Sequence, residues 1–381
     1  MKKQHTNNTL IIPITKYDYG EIPKYFLTSK KILTIMKKKN IIAILMTVLG
    51  FALIATALGI VYASYPPNRA NNVDNSIATF FQNNSSSTVE KIMKYITYLG
   101  EPIVFVGLLL ILYYAWDKRK GYKAMAVVVS STVVVYSAKA GFRMERPPSS
   151  TWGGDIEAED ITTYGFPSGH AQVGTSFWGM LGIFVTKWGM LIFAILIPLV
   201  LGFSRIYLRV HWFTDVIMGL GIGLIILVIY MYVEEPITSY FEKRSAVIKV
   251  LYVLLMMIVL AAPIILLHYD PVFLSYDIDG ENFKQMIKTL RFVILFTTVS
   301  ISYIFEEKII SFENKKEKWW HILLRILIGI VVIALIYGYT MIFDFVNVDY
   351  IITVIVDLIV YALLGPFLIL FIPWLIKKLK I

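Results

Sequence analysis

The chain has 381 residues, 57% of them hydrophobic and 16% charged, with a mean hydropathy of +0.68, a balance far too apolar for an ordinary soluble domain of this size. Its net charge of +10 would suit nucleic acid, but the Lys and Arg residues fall in short clusters between apolar runs. That is the pattern of cytoplasmic membrane loops, so the expected partner is a bilayer and not nucleic acid. There is no cysteine, which removes disulfides, thiolate metal sites and cysteine nucleophiles and leaves the chemistry to His, Asp, Glu, Ser, Lys or Arg.

Residues 1–40 form a polar, basic segment ending in Lys37, Lys38, Lys39 and Asn40. The apolar run from Ile41 to Ala63 is too long and too late for a cleaved signal peptide and matches the ~20 residues of a membrane span. Further spans are expected near 101–116, 124–142, 168–186, 188–207, 212–233, 248–268, 289–305, 320–343 and 351–376, ten with the first. Between the first two, Asn68 to Gly100 carries a helical pattern (Ile92, Met93, Tyr95, Ile96, Leu99) and reads either as a loop followed by an interfacial helix or as an ordinary loop. The expected fold class is therefore all-α, a polytopic membrane helix bundle. The charged stretch Glu234 to Arg244, with Pro236, is the expected boundary between a part spanning 41–233 and an extension spanning 234–381.

Basic clusters at Lys30 to Lys39, at Lys118, Arg119, Lys120 and Lys123, at Lys243, Arg244 and Lys249, at Lys315, Lys316 and Lys318, and at Lys377, Lys378 and Lys380 all fall on one side of a ten-helix count. The other side carries Asp155, Glu157, Glu159 and Asp160, then Asp270, Asp277, Asp279 and Glu281, then Asp344 and Asp349. Positive charge stays inside, so both termini are expected in the cytoplasm.

Three polar clusters interrupt the hydrophobic pattern, all on the expected outer side, where polar groups near a membrane mark a candidate site. In the first, Lys139 and Arg146 lie seven apart with Pro147 following; on a continuous helix both cations would share a face and Pro147 would end it. A Lys and an Arg snorkelling to the interface is the simpler alternative. The second, Pro167, Ser168, Gly169 and His170, reads as a helix N-terminus with free backbone N–H groups for an anion. Ser168 as a plain N-cap and His170 as an interfacial residue fit it equally. The third joins Ser204 and Arg205 to His211 and Asp215. His and Asp at i and i+4 share a helix face, so Asp215 can hold one ring nitrogen and leave the other as a nucleophile, although such a pair can also merely satisfy itself.

Together the clusters read Lys-x6-Arg-Pro, Pro-Ser-Gly-His and Ser-Arg-x5-His-x3-Asp, eleven identities in order, and this resembles the tripartite signature of the type 2 phosphatidic acid phosphatase (PAP2) superfamily. The resemblance covers about residues 41–233 and implies a six-helix core, leaving about four additional transmembrane helices outside it. It also implies that His211 is a nucleophile forming a phosphohistidine, with Asp215 orienting it and His170 acting first as general acid and later as base. Lys139, Arg146 and Arg205 would neutralise the phosphoryl oxygens, with Ser168 and the Gly169 amide adding hydrogen bonds, and no metal or other cofactor is called for.

The expected activity is thus removal of a terminal phosphate from a membrane lipid phosphate or pyrophosphate on the extracytoplasmic face. Undecaprenyl pyrophosphate is favoured, with phosphatidic acid and phosphatidylglycerophosphate close behind. A lipid phosphotransferase using the same site, or a non-catalytic lipid-binding or transport protein, are the competing classes. The extra helices offer a homodimer surface, a lateral gate or a partner-binding module, and their sequence does not choose. Outside the motifs, His5, His268 and His321 read as structural, Arg143 and Glu145 as a loop ion pair beside Arg146, and Trp319 with Trp320 as an interfacial belt. Asp357, inside the last apolar segment, is costly there and reads either as a site or as a carboxylate buried against Tyr or backbone.

Overall fold

The structure is a computed structural model in which residues 29–63, 72–156, 164–185, 188–268, 281–313, 319–346 and 350–379 are described, and every long element among them is a helix. The elements are α1 (Ser29–Tyr62), α2 (Asn72–Asn84), α3 (Ser87–Thr97), α4 (Pro102–Ile111), α5 (Lys118–Phe142), α6 (Gly169–Val185), α7 (Trp188–Tyr207) and α8 (Phe213–Glu242). Beyond them come α9 (Ala246–His268), α10 (Glu281–Ile309), α11 (Trp319–Val346), α12 (Tyr350–Pro366) and α13 (Ile372–Leu379). Short π turns at Leu112–Trp116 and Phe367–Phe371 continue α4 and join α12 to α13.

Seven of the described helices are long and apolar enough to cross a membrane, and α3 with α4, bent by 49°, makes an eighth as a broken span or re-entrant loop. Helices stand at all ten expected places, but α6, with 17 residues, falls short of the ~20 that span a bilayer unaided, and α11 is counted only over the shorter apolar stretch Trp319–Ile328. Another expectation changes. The segment before Gly100 is two helices, α2 and α3, and α3 packs on α7 rather than standing apart from the bundle. Helix α8 runs through Pro236 to Glu242, and the chain breaks at Lys243, inside the charged stretch Glu234 to Arg244. The expected charges Glu157, Glu159, Asp160, Asp270, Asp277, Asp279, Asp349, Lys315, Lys316, Lys318 and Lys380, and His5, lie outside the described residues.

The middle of the bundle is α5. Its buried residues, among them Ala124, Val127, Val128, Val129, Ser131, Val133 and Val135, face all directions, the mark of a helix surrounded by others. One side joins Phe105, Leu109, Val173 and Phe177 from α4 and α6, and another joins Ile264 and Val293 from α9 and α10. The first part of the chain and the extension therefore share this helix. Polar contacts reinforce it: Gln172 donates to the Ser131 carbonyl at 2.8 Å and the Ser176 and Ser131 hydroxyls meet at 3.0 Å, buried between α5 and α6. Such interhelical bonds hold helices where lipid gives no hydrophobic drive to pack.

Helix α8 is drawn close by its glycines. A Cβ at Gly219 would lie 2.6 Å from the Ser168 carbonyl oxygen, and one at Gly221 would lie 2.8 Å from the Gly50 carbonyl oxygen of α1. Small residues permit this backbone approach, and it sets the N-terminus of α6 against the start of α8. That start is also held from outside the motifs, where Asp74 of α2, itself buried, accepts hydrogen bonds from the Thr214 amide at 3.0 Å and the Thr214 hydroxyl at 2.6 Å.

In the extension, Asp357 of α12 pairs with Arg291 of α10, whose guanidinium also sits over the Tyr361 ring. The carboxylate thus has an ionic partner, where the sequence alone left a choice between a site and burial against Tyr or backbone. His321 packs edge-on against Trp320.

Replacing Asp74 by Ala leaves the buried Thr214 donors without their carboxylate, a loss of about 1–3 kcal/mol. Thermal unfolding of the detergent-solubilised variant should show a clearly lowered midpoint, and a midpoint equal to wild type would contradict this account of how α8 is anchored.

Candidate active site

The site forms where the C-terminal ends of α5 and α7 meet the N-terminal ends of α6 and α8. Helix α5 stops at Phe142 because Arg143 adopts φ 50, the left-handed conformation, with its amide on the Lys139 carbonyl. The sequence expectation that one helix carries both Lys139 and Arg146 is therefore corrected: Lys139 sits in the last turn and Arg146 in the loop beyond. They converge by chain reversal rather than by helical spacing. Lys139, buried, donates to the Tyr164 carbonyl, while Arg146 donates to the Val210 carbonyl at 2.8 Å and contacts His211 Nε2 at 2.8 Å. Arg143 donates to the Ala140 carbonyl, and Glu145 receives the Trp212 indole N–H on its backbone oxygen, so both are tied into the loop.

His211 lies in the turn between α7 and α8 with Nδ1 3.0 Å from Asp215 Oδ2. The same carboxylate oxygen accepts the Trp212 amide at 3.0 Å, capping α8. A guanidinium can only donate, so with Arg146 on Nε2 that nitrogen is the acceptor and Nδ1 carries the proton given to Asp215. The ring is held as a neutral imidazole with its lone pair on Nε2. Burial first, and then the charges of Arg146, Lys139 and Arg205, hold the His211 imidazole well below its ordinary range.

Behind His211, Arg209 also adopts φ 58. Its buried guanidinium ties together the Thr151 carbonyl, the Phe81 carbonyl, the Ser85 hydroxyl and Glu90, the last at 2.5 Å. This residue forces the chain to turn sharply out of α7, and its partners come from α2, α3 and the loop after α5.

Ser168 stands just before α6, and its amide donates to the Asp215 carbonyl at 2.9 Å, linking the second and third motifs directly. Its buried hydroxyl bonds to no protein group, so its side chain does not cap the helix. Gly169 opens α6, and a Cβ there would come only within 3.9 Å of a Val135 methyl. Protein packing does not require glycine at this point. His170 Nε2 lies 3.2 Å from Glu101 Oε1, and Arg205 donates from Nη1 to the Thr97 hydroxyl at 2.9 Å while its buried Nε bonds to no protein group. Ser204, by contrast, turns its hydroxyl back to the Leu201 carbonyl at 2.7 Å and takes no part.

All eight expected site residues thus gather in one place. Sequence reasoning missed Thr97 and Glu101, which enter at the break between α3 and α4, and Asp74 and Arg209, which brace the site from behind. Arg209 lies in the undefined x5 stretch of the third motif, while Asp74, Thr97 and Glu101 had no motif around them; only the broken apolar pattern at Gly100 to Pro102 hinted at a feature there.

These features define an integral membrane protein of many helices with a cation-lined histidine pair, His211 buried and His170 half-buried, at one end of the bundle. The PAP2 superfamily model matches residues 120–239, and a second, the transmembrane extension of PAP2 superfamily phosphatases, matches residues 292–381. The chain belongs to the PAP2 superfamily and is a multi-pass membrane phosphatase. Among solved structures it is similar to the first transmembrane PAP2 type phosphatidylglycerolphosphate phosphatase from Bacillus subtilis, with 22% identity over 49% of this chain and 96% of that one and a TM-score of 0.40. It is also similar to Aquifex aeolicus LpxE, with 23% identity over 41% of this chain and 92% of that one and a TM-score of 0.34. A search of curated proteins gives no match.

The depressed His211 has a consequence for titration. Between its lowered value and the ordinary ~6.5 of an unfolded histidine, the folded ring is neutral while the unfolded one is cationic. The unfolded state binds more protons there, so stability falls as pH drops below about 6.5. Histidine NMR on the detergent-solubilised protein should find one ring, absent in His211→Gln, still neutral well below that pH. A His211 signal titrating at an ordinary value would refute the assignment.

Proposed function

We propose that this protein hydrolyses the terminal phosphate of a lipid phosphate or pyrophosphate through a phosphohistidine at His211. The observation that carries the reading is the state of that ring, with Asp215 on Nδ1 and an unprotonated Nε2 facing Arg146. In step one the Nε2 lone pair attacks phosphorus, the bond to the leaving oxygen breaks, and His170 gives that oxygen a proton. In step two His170 takes a proton from water, hydroxide attacks phosphorus, and the phosphorus–nitrogen bond breaks.

Phosphoryl transfer depends on positioning and charge neutralisation. Lys139, Arg146 and Arg205 supply the charge, all near enough to act on His211. Ser168 Oγ and Arg205 Nε, buried and unspent on protein groups, supply hydrogen bonds to phosphoryl oxygens, and the Gly169 amide lies at a helix N-terminus where anions are favoured. With three cations in place, the reaction is proposed to proceed without a metal.

The site sits at the end of the bundle opposite the Lys118 and Lys123 turn of α5 and the Lys243 end of α8. Basic clusters mark the cytoplasmic side, which supports an extracytoplasmic site with both termini inside. The parts proposed are a basic segment at 1–40, a phosphatase core at 41–233 and a transmembrane extension at 234–381. Undecaprenyl pyrophosphate is the favoured substrate, with phosphatidic acid and phosphatidylglycerophosphate next, because the residues grip a phosphoryl group and not the lipid behind it.

The deciding measurement is phosphate release by purified protein across that panel, with and without chelator and without any added acceptor. Release from at least one lipid is expected; none without an added hydroxyl acceptor would favour a phosphotransferase. His211→Ala should abolish turnover and also the acid-labile phosphoprotein trapped by quenching with labelled substrate, and a folded, active His211→Ala protein would end the proposal. Gly169→Ala should fold normally, since only Val135 methyls lie near the new Cβ, yet lose on the order of tenfold or more in kcat/KM, because the added methyl keeps a phosphoryl oxygen from closing on the retained amide and so weakens one charge-assisted hydrogen bond.

A further inference from the structure

We infer that Glu101 is a positioning residue for the same reaction, orienting His170 and favouring its protonated form for its role as acid. This rests on the phosphatase reading above. The placement is built by the fold. Helix α3 ends at Thr97, a single 3-10 turn carries Tyr98–Gly100, and α4 restarts at Pro102, so Glu101 is the extended residue at the corner of a 49° bend. Proline at the first helical position fixes that restart. The corner is pressed onto the site, because a Cβ at Gly100 would lie 2.6 Å from His170 Cδ2. One residue further on, Glu101 Oε1 meets His170 Nε2 at 3.2 Å, and three residues before the glycine, Thr97 accepts from Arg205. The bend thus touches both His170 and a phosphate-facing cation.

The charge balance explains why a carboxylate is needed there. Around His170 stand Arg205 from α7, Arg146 from the loop after α5 and His211 from the turn before α8. Helix α5 adds Lys139 and Tyr136 to the same pocket, and α8 adds Asp215, already bonded to His211. Burial first, and then the cations, favour a neutral His170, which suits a nucleophile but disables an acid. Glu101 is the carboxylate that contacts His170, and an opposite charge at hydrogen-bond distance favours the imidazolium. The two histidines are thereby set apart: His211 meets a guanidinium at Nε2, which favours the base, while His170 meets a carboxylate at Nε2, which favours the imidazolium and opposes the drop that burial and the cations impose. With the Nε2 proton committed to Glu101, Nδ1 is the nitrogen that gives its proton to the leaving oxygen and later recovers one from water, so the ring cycles between imidazolium and the Nε2–H neutral form.

The test compares full-length wild type, Glu101→Gln and Glu101→Asp, purified in detergent, on an alkyl lipid phosphate and on p-nitrophenyl phosphate, whose leaving group needs no proton. For Glu101→Gln, kcat on the alkyl phosphate should fall roughly 10- to 100-fold, with p-nitrophenyl phosphate losing about threefold or less. The basic limb of the pH profile should move down by about one unit. Glu101→Asp should recover part of the rate and keep the limb near its wild-type place. Superimposable profiles for Glu101→Gln and wild type overturn the inference, as do equal losses on both substrates with no shift. If Glu101→Gln does not fold, Glu101→Asp decides by the same substrate comparison. His211→Ala runs alongside: its inactivity keeps the phosphatase reading in place whatever Glu101 does, whereas its activity removes that reading and this inference together.

Discussion

The carboxylate of Asp215 is the contact on which the rest of the site depends. One oxygen takes the His211 Nδ1 proton and the Trp212 amide, and the backbone carbonyl of the same residue takes the Ser168 amide. Gly165 packs so close that a Cβ there would lie 2.9 Å from that oxygen. A single residue therefore sets the tautomer of one histidine and caps α8 with its fully buried side chain, and fixes the start of α6 with its backbone carbonyl. Buried carboxylates are costly unless fully hydrogen-bonded, and here several donors converge on one.

That arrangement has to coexist with an accumulation of positive charge. Lys139, Arg146 and Arg205 all act on His211, and like charges gathered away from bulk water repel strongly. Part of the offset is local: backbone carbonyls of Tyr164 and Val210 and the Thr97 hydroxyl hold the three cations. The remainder is what an anionic phosphoryl group would supply. A pocket preorganised for charge that arrives with the substrate is the usual source of electrostatic stabilisation in phosphoryl transfer. Its rigidity comes from behind, through Arg209 and its bonds to Glu90 and Thr151, and through Asp74 on Thr214.

The extension is bound to this machinery through one helix. Helix α5 carries Lys139 at its end, faces α6 with one side and packs against α9 and α10 with another. At the other end of the bundle, Lys118 of α5 pairs with the buried Glu306 of α10 at 2.9 Å, a second tie between the two parts. Any shift of the extension would thus be felt along the helix that positions Lys139, a physical route by which these helices can matter to the site.

Much of this was legible before any coordinates. Apolar runs near bilayer length located the helices because a membrane leaves the backbone few alternatives. Polar identities at set spacings named the eight candidate residues, but His211 lies in the turn before α8 and not on the helix face that its spacing from Asp215 suggested, so their bond is made across the start of the helix. What the sequence misjudged depended on chain direction: a left-handed Arg143 ends α5 four residues after Lys139, so Arg146 arrives by a loop. Only the tertiary structure brought in Glu101, Thr97, Asp74 and Arg209, whose long-range contacts lie from 58 to 140 residues away. A motif records residues that share a local frame, whereas these contacts are set by how helices cross, and glycine spacing, bends and buried area decide that only when the whole bundle is assembled.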